Sequence, residues 1–459
     1  MTDLEVAKRI AEKVAEAGGR TYYVGGCVRD ELLHKTSKDI DIEVYGISPE
    51  QLRGICRKFG KVDEVGMSFG ILKIHGYDID ISMPRKERLT GIGHKSFDVE
   101  VDPYMDEKTA AMRRDFTINA IMKNVLTGEY VDSFSGIDDL KNHEIRHISD
   151  DTFVEDPLRV FRAAGFAARL NFHINQNTFN LCKSIDVSSL SNERIFEETN
   201  KVLLKADTPS IYFQALKEMS HLKEFFPEVE SLIGLPQDPE KHPEGDVWNH
   251  TMCVLDNAAK AKSKSKHPLE FMYAALFHDI GKTDTTTFEN GKWRSLKHDI
   301  AGIEKSKKAL LKITNEKKLI LYVQNMVSLH MKPHMTTVKS AKRTINGIID
   351  RSVCPEDLIL LSVCDKQNRR AIDDSYLKFW DEKIKEYRAL MLEPEVTGND
   401  LIELGYVPGP MFAKIIAKCH QIHLSGCDKE TILKSLPNII EGVKEKEYRS
   451  RARGSRLNP

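Results

Sequence analysis

The spacing of apolar and polar positions changes along the chain and separates a mixed region from a helical one. Residues 4–17 repeat apolar positions every three or four residues, which predicts an amphipathic helix ending at Gly18-Gly19. Further helical stretches lie at 27–34 and 49–58. Four β-branched or alternating stretches predict short strands: TYYVGG, DIDIEVY, GILKIHG and YDIDIS. From about residue 150 onward strand patterns almost disappear, so an α+β unit precedes a long helical region.

The chain is also too long for one hydrophobic core. Its 459 residues suggest three or four domains at ~100–200 residues each. PQDPEKHPEGD at 236–246 and EPEVTGN at 393–399 have the composition of loops between domains. We therefore expect domains over 1–145, 146–235, 236–375 and 376–459.

Composition restricts the class of protein. A net charge of −1 excludes a uniformly basic surface, so any nucleic-acid site must be a local patch. The eight cysteines form no CxxC pair, which is typical of free thiols in a reducing compartment. Because no apolar run reaches 18 residues, we expect no membrane partner, and the sequence predicts a cytoplasmic protein.

GGCVRDELL at 25–33 and the DID tripeptide that follows it combine features of a phosphate-binding site. Gly25 and Gly26 end a strand and open a helix, whose N-terminus favours phosphate, and Arg29 lies in its first turn. Asp39 and Asp41 lie on one face of the next strand because strand side chains alternate. These are the parts needed for metal-assisted phosphoryl or nucleotidyl transfer.

A second DID occurs at 78–80 without a glycine-rich partner. We interpret Asp78 and Asp80 as ordinary strand residues, with Asp80 the better candidate for a third, auxiliary carboxylate. The first copy is the predicted metal site.

Five motifs in order resemble the class II tRNA nucleotidyltransferases, that is, the CCA-adding enzymes and their poly(A) polymerase relatives. The resemblance covers roughly the first 205 residues. It implies a DNA-polymerase-β-like head followed by an all-helical neck, body and tail. It also implies template-independent addition of C, C and A to the tRNA 3′ end from CTP and ATP, with Mg²⁺. The motifs are GGCVRD with DID eight residues later, RRDFTINAI (113–121), DSFSGIDDL (132–140), EDPLRVFRAAGFAARL (155–170) and NERIFEETNKVL (192–203).

This resemblance gives the head residues roles. Asp39 and Asp41 would bind two Mg²⁺, one lowering the pKa of the primer 3′-hydroxyl and one holding the triphosphate. Arg114 would point at the triphosphate. Helical spacing puts Asp115 and Asn119 on one face, suited to a ribose hydroxyl. Taken alone, the same stretch is typical of a salt-bridged surface helix.

EDPLRVFR predicts base selection by protein side chains. Asp156, Arg159 and Arg162 recur every three residues and so share a helical face. A carboxylate that accepts beside a guanidinium that donates complements cytosine and adenine and mismatches uracil and guanine. The resemblance assigns the same task to this motif.

Two further features bear on the C and A steps. Gly165 stands where the family commonly has arginine, which leaves room for a specialist that adds only CC or only A. The polar, glycine-containing stretch 85–109 is interpreted as the mobile loop that the family uses when switching from C to A.

The next third of the chain has histidines and aspartates in the order H…HD…H…H…D, which resembles the HD phosphohydrolases over about 236–375. The resemblance implies one divalent metal on His250, His278, Asp279 and Asp365, whose bound water attacks a phosphoester, and a possible second metal on His298 and His330. Nitrogen and oxygen ligands without cysteine favour Mn²⁺, Ni²⁺, Co²⁺ or Mg²⁺ over Zn²⁺.

The leading hypothesis is a CCA-adding enzyme joined to an HD phosphohydrolase. A CC-adding, A-adding or poly(A) polymerase shares every head motif. An RNA-binding HD phosphohydrolase with an inactive head is disfavoured because Asp39, Asp41 and the Asp156–Arg159 pair are intact. A nucleotide-signalling hydrolase would not need the GG…DID combination. No particular oligomeric state is predicted.

Overall fold

A computed structural model describes residues 1–36, 39–65, 71–89, 97–366 and 374–454. The chain forms two compact units, Met1–Pro227 and Glu228–Pro459. The division falls a few residues before the loop at 236–246. The four-domain boundaries stay a prediction.

The first unit is built on a seven-stranded sheet in the order β3-β4-β5-β2-β1-β8-β9, in which β2 and β5 are the parallel pair. Ile42 and Val44 of β2 are fully buried against Val6 and Ile10 of the first helix, so Asp41 lies on the opposite face. The strands of this unit are β1 Arg20–Val24, β2 Ile40–Tyr45, β3 Val62–Val65, β4 Ile71–Ile74, β5 Ile79–Ser82, β6 Arg85–Leu89, β7 Phe97–Val101, β8 Met122–Asn124, β9 Tyr130–Val131, β10 Glu144–Ile145 and β11 His173–Ile174.

Helices precede, separate and follow the strands, and they form most of the rest of the first unit. The first helix begins with a capping box between Thr2 and Glu5, which satisfies free N–H groups at its start. The helices are α1 Asp3–Glu16, α2 Gly26–Leu32, α3 Pro49–Cys56, α4 Glu107–Met112, α5 Gly136–Lys141, α6 Asp150–Val154, α7 Leu158–Leu170, α8 Gln176–Ser184, α9 Asn192–Lys205, α10 Ser210–Glu218 and α11 Leu222–Phe225. The next helix, α12 Pro227–Glu230, begins at the last residue of the first unit and continues into the second.

Two stretches of the first unit differ from the predicted structure. The helix predicted for RRDFTINAI is wrong, because α4 ends at Met112 and only a 3₁₀ turn, Thr117–Asn119, follows. The Asp115 carboxylate accepts a hydrogen bond from the Phe116 N–H, a local bond that competes with a helical one. In the predicted loop 85–109, β6 and β7 form an antiparallel pair, and residues 90–96 lie outside the described residues.

The second unit is mainly helical. Its strands are β12 Thr286–Glu289 and β13 Lys292–Ser295, a hairpin that the sequence did not predict. No helix among the described residues is both long and apolar enough to cross a membrane. The helices are α13 Val247–Ala261, α14 Pro268–Phe277, α15 Lys282–Thr285, α16 His298–Leu311, α17 Lys317–Leu329, α18 Lys342–Arg351, α19 Pro355–Lys366, α20 Asp374–Leu390, α21 Gly398–Glu403, α22 Met411–His423, α23 Lys429–Lys434 and α24 Leu436–Gly454.

Close backbone packing holds the end of α14 against the start of α16. Residues 271–277 of α14 are all buried, which explains their apolar character on every face. The turn after Asp279 contains Gly281, where an added Cβ would overlap the carbonyl oxygen of His298 and lie 2.5 Å from the Gly302 nitrogen. Glycine is therefore needed for this approach.

Two candidate active sites

The first unit contains a cavity of about 660 Å³ where the sheet faces α7 and α9. Ten basic side chains line it against four acidic ones. A chain with a net charge of −1 thus has the local basic patch that a polyphosphate or nucleic acid requires. All eleven residues predicted for the head lie around this cavity: Gly25, Gly26, Arg29, Asp39, Asp41, Arg114, Asp115, Asn119, Asp156, Arg159 and Arg162.

The first DID tripeptide presents its carboxylates at the start of β2. A Cβ on Gly25 would lie 3.7 Å from Oδ2 of Asp41 and 3.5 Å from Nη1 of Arg114, so the glycine turn closely approaches both. Burial raises the pKa of Asp41, and the charge of Asp80 raises it further. Crowded carboxylates of this kind are suited to a divalent cation.

The second DID tripeptide lies on β5 beside the first. Asp80 is the register partner of Asp41, and its carboxylate forms an ion pair of 2.7 Å with Lys73. Asp78 lies before the strand, and its N–H donates to the Asp3 carboxylate at 3.4 Å. Of the two, Asp80 lies nearer to the metal-binding candidates.

A buried network joins the middle of the cavity to α2. The guanidinium Nε of Arg162 donates to Oδ2 of Asp115 at 2.7 Å, and Asn119 donates to Oδ1 at 3.0 Å. Arg29 in turn donates to Asn119 at 2.8 Å. Burial acts to raise the pKa of Asp115, but Arg162, Asn119 and Arg159 together more than offset it and the pKa is lowered. Asp115 and Asn119 therefore meet through a 3₁₀ turn rather than along a helix.

Asp156 lies two residues before the first residue of α7, and its carboxylate accepts the Leu158 N–H at 3.1 Å. The same carboxylate accepts two bonds from Arg194, at 2.9 and 3.0 Å. Arg159 donates instead to the backbone carbonyls of Arg113, at 2.7 Å, and Thr152. The guanidinium partner of Asp156 is thus Arg194, which the sequence analysis missed.

Glu43 is a second residue that the sequence analysis missed. Its fully buried carboxylate accepts from Arg113 at 2.8 Å, Arg114 at 3.5 Å and the Tyr45 hydroxyl at 2.7 Å. Burial acts to raise the pKa of Glu43, yet the two arginines lower it overall. The sequence DIDIE could have indicated Glu43, because its acidic residues alternate along the strand and continue past Asp41.

The second unit gathers all six residues predicted for the HD site around Asp279. Oδ2 of Asp279 lies 3.2 Å from Nε2 of His278 and 3.4 Å from Nε2 of His250. Oδ1 lies 3.2 Å from Nε2 of His298 and 3.6 Å from Nε2 of His330. The sixth residue, Asp365, lies 3.1 Å from Nε2 of His250.

Hydrogen bonds fix the protonation pattern of these imidazoles. Nδ1 of His278, His298 and His330 each donates to a carbonyl three residues earlier, at 2.7–2.8 Å. Each Nε2 is then free of a proton in the neutral ring. His250 and His278 turn these atoms toward each other at 3.2 Å, and His298 and His330 do so at 3.3 Å. Facing lone pairs fit a cation between each pair, with Asp279 between the two positions.

An outer layer of polar side chains supports the cluster. Glu244 accepts from Nδ1 of His250 at 2.6 Å, and Lys282 lies 2.7 Å from Asp279. Burial acts against the charge of Glu244, but the hydrogen bond and charge of His250, with bonds from the backbone and from His242, lower its pKa to about 2. His334 bonds to Asp365 at 3.0 Å. The sequence analysis missed these three residues, although Lys282 stands in the HDIGK motif itself.

The chain matches three protein families. Residues 21–146 match the Poly A polymerase head domain and residues 247–369 match the HD domain. Residues 171–233 match the family described as probable RNA and SrmB- binding site of polymerase A. Nucleotidyltransferase and HD domains generally bind divalent metals.

Sequence and structural relatives agree with these matches. The multifunctional CCA protein of Pseudoalteromonas atlantica is 33% identical over 84% of this chain and 94% of its own length. That of Mannheimia succiniciproducens is 39% identical over 58% of this chain and 64% of its own length, slightly under two thirds. The CCA-adding enzyme of Thermotoga maritima complexed with tRNA matches 95% of this chain and 94% of its own at 21% identity and a TM-score of 0.60. The shared α+β fold is thereby confirmed.

Proposed function

This chain belongs to the family of the multifunctional CCA proteins, and on that basis we propose that it adds C, C and A to the 3′ end of tRNA from CTP and ATP. One observation carries the proposal: Asp39 and Asp41 share a cavity with ten basic side chains. Nucleotidyl transfer needs carboxylates for cations and cationic groups for phosphates. Because tRNA and both nucleotides occur in the cytoplasm, the protein works there.

In this proposal the four regions have separate tasks. Residues 1–145 form the nucleotidyltransferase head, and 146–235 form a helical neck that contacts RNA. Residues 236–375 form the HD domain, and 376–459 form the helical body and tail. The match of 171–233 to an RNA-binding family supports the second assignment.

The head residues hold and orient the reactants. Mg²⁺ ions bound by Asp39 and Asp41 would lower the pKa of the primer 3′-hydroxyl and neutralise charge on the triphosphate. The N–H groups at Gly25 and Gly26 and the guanidinium group of Arg29 bind phosphate oxygens.

The remaining head residues orient the nucleotide. Arg114 donates to the triphosphate, and Asp115 and Asn119 bind a ribose hydroxyl. Arg162, bonded to Asp115, keeps that carboxylate charged and in place. The shared cavity and this hydrogen-bond network support these roles.

Asp156 and Arg159 select the base. Asp156 accepts from the exocyclic amino group of cytosine or adenine, and Arg159 donates to the adjacent ring nitrogen. Arg194 holds Asp156 in position. Arg159 reaches a base by exchanging its bonds to backbone carbonyls for one to the ring.

The second unit is proposed to hydrolyse phosphoesters, and the facing Nε2 atoms of two histidine pairs favour this second activity. His250, His278, Asp279 and Asp365 hold one divalent cation, and His298 and His330 hold a second. Mn²⁺, Ni²⁺, Co²⁺ or Mg²⁺ suits these donors and would supply an activated water. The chain's own contribution is to fix each imidazole through its Nδ1 bond and to exclude bulk water from the buried cluster.

The head activity is tested on tRNA transcripts that end at the discriminator base, at C or at CC, each with CTP, ATP or both. We expect completion of CCA from all three. Extension that stops at CC, or starts only from CC, would identify a CC-adding or A-adding specialist. Repeated addition of A without a stop would indicate a poly(A) polymerase.

The HD activity is tested separately with 2′,3′-cyclic AMP and 2′-AMP and with each of the four metals. We expect hydrolysis that depends on added metal. If no phosphoester is hydrolysed under any of these conditions, the second unit has no such activity. If the protein hydrolyses a phosphoester with metal but does not extend any tRNA, an RNA-binding HD phosphohydrolase with an inactive head would be favoured.

A further inference from the structure

Phe166 of α7 is a buried aromatic side chain that lines the basic cavity of the first unit. Two of its neighbours come from its own helix, because Arg162 precedes it by four residues and Arg169 follows it by three. Arg29 reaches the same ring from α2. The guanidinium carbon atoms lie over the ring at 4.4 Å from its centroid for Arg169, 5.2 Å for Arg29 and 5.4 Å for Arg162. All three distances are within the range of a cation–π interaction.

The three guanidinium groups differ in how their charge is balanced. Arg29 and Arg162 each donate to an aspartate at 2.7 Å. Arg169 donates to the carbonyl oxygen of Gly165 at 3.2 Å, and within the described ranges no carboxylate forms an ion pair with it. Burial and the charges of Arg29 and Arg162 lower the pKa of Arg169 to about 10, although Glu198 acts in the other direction. A positive charge in this position favours an anion in the adjoining cavity.

The ring explains how three like charges remain on one side of the cavity. Guanidinium groups repel one another, and the negative face of an aromatic ring offsets that repulsion. Unlike a carboxylate, the ring accepts none of their strong hydrogen bonds, so their N–H groups stay available to phosphate oxygens. The ring itself is held by the core, because Phe166 packs on Phe116 with centroids 5.5 Å apart.

We propose that Phe166 is a positioning residue for nucleotide addition, whose ring gathers Arg29, Arg162 and Arg169 into one cationic wall that faces the triphosphate. The inference rests on the proposed nucleotidyltransferase function and adds to it a residue without any polar group. Phe166 touches no reacting atom and acts through the arginines. Its contribution therefore depends on the charge distribution of the ring as well as on its shape.

Fluorinated phenylalanine separates these two properties, because fluorine withdraws the negative charge from the ring face and changes the volume little. We expect replacement of Phe166 by 3,4,5-trifluorophenylalanine to raise Kd for CTP and for inorganic tripolyphosphate about tenfold. A ring with one fluorine should give an intermediate increase. Calorimetric titration of the full chain in EDTA measures both ligands without a contribution from bound metal.

The same trifluorinated replacement at Phe153 is the matched control. Phe153 is buried and packs on Phe116 with centroids 5.7 Å apart, but it lies outside the cavity lining. This variant should bind both ligands as the wild type does. Its melting temperature should match that of the trifluorinated Phe166 variant, because both keep the volume of the core.

Kinetics connect the ring to nucleotide addition. KM for CTP and ATP should rise about tenfold in the trifluorinated Phe166 variant, whereas the CTP:UTP ratio of kcat/KM should stay constant, since Asp156 and Arg159 select the base. Addition with unchanged KM and Kd values would leave the transferase and overturn the role of the ring. Graded loss of tripolyphosphate binding in a protein that adds no nucleotide would keep the cationic wall and remove the proposed transferase. A wild-type protein that binds no tripolyphosphate would overturn the wall itself.

Discussion

Glu43 lies two residues after Asp41 on β2, with no exposed surface. Its charge is balanced by Arg113 and Arg114, which both line the cavity of about 660 Å³ in the first unit. A buried carboxylate between two such arginines orients them without touching a substrate. At the scale of single residues, much of the head site therefore depends on side chains behind the cavity wall.

We expect Glu43→Gln to raise KM for both CTP and ATP by about 5–30-fold, because Arg114 loses its charged partner and its fixed direction. Thermal unfolding should also begin at a lower temperature. Glu31→Gln is the matched control, since Glu31 is 49% exposed in its ion pair with Lys123 and should have little effect. Unchanged KM values in Glu43→Gln would show that Arg114 is held by other contacts.

Asp156→Ala should reduce incorporation of C and A by about 10–150-fold, the effect of one lost charge-assisted hydrogen bond. The CTP:UTP ratio of kcat/KM should fall with it, because uracil gained nothing from the carboxylate. Arg194→Ala is the informative comparison: because Arg194 holds Asp156 in position, this variant should also lower the CTP:UTP ratio, but by less than Asp156→Ala does. Single-nucleotide extension of a tRNA lacking CCA measures both. A constant CTP:UTP ratio in both variants would mean that Asp156 only stabilises the start of α7.

The residues that sequence reasoning found are those whose spacing reports their chemistry. Asp39 and Asp41 alternate on a strand, and the HD motif places His278 and Asp279 side by side. Arg194 lies 38 residues from Asp156, so only the folded packing of α9 against α7 brings the two together. Glu43 continues the alternation, but its burial follows from Arg113 and Arg114, 70 and 71 residues further along the chain.

At the scale of elements, local patterns predicted most of the first sheet and failed where tertiary contacts decide. The strand pattern around DIDIEVY matches β2, whose register with β5 then follows from folding. The stretch TTTFENGKWRS forms the β12–β13 hairpin, whose strands have only four residues each. Because helices surround it in the sequence, so short a strand pattern was not recognised. RRDFTINAI kept its helical spacing in sequence, yet the Asp115 side chain bonds to its own neighbouring N–H.

Gly281→Ala tests how the turn between α14 and α15 supports the HD site. The added Cβ would overlap the His298 carbonyl oxygen, so the backbones must separate. We expect a loss of ~2–4 kcal/mol in the free energy of unfolding and a lower melting temperature, together with loss of hydrolysis. Gly347→Ala in α18 is the control, because its Cβ meets nothing within 4 Å and alanine favours the helix. Equal melting temperatures for the two variants would contradict this account.

At the scale of the whole molecule, the two cavities belong to different compact units. Every residue that lines the basic cavity around Asp39 and Asp41 precedes Pro227, and every residue that lines the cavity beside Asp279 follows Glu228. All side chains that line one cavity therefore come from a single unit. The sequence change near residue 150, from mixed strands to helices, marks only part of this division, because α7 to α11 still belong to the first unit.

We expect the two activities to separate in variants of the full chain. Asp41→Ala should reduce nucleotide addition by ~10³-fold, because the negative charge that develops in the transition state is no longer stabilised by a bound cation. Hydrolysis of 2′,3′-cyclic AMP should remain intact. His278→Ala should have the opposite effect. Asp78→Ala, which changes an aspartate outside the cavity, is the control for the first variant. Loss of both activities in either variant, with an unchanged melting temperature, would mean that the sites depend on each other.

The close approach at Gly281 also affects how related chains should be judged. A relative could keep all six side chains of the proposed cation site and still carry a larger residue at this position. The backbone of His298 would then lie further from Asp279. Nε2 of His298 and Nε2 of His330 would no longer face one position for a cation. Counting ligands alone would class such a chain as an active hydrolase. A residue without any side chain is therefore as diagnostic of activity as the histidines it holds together.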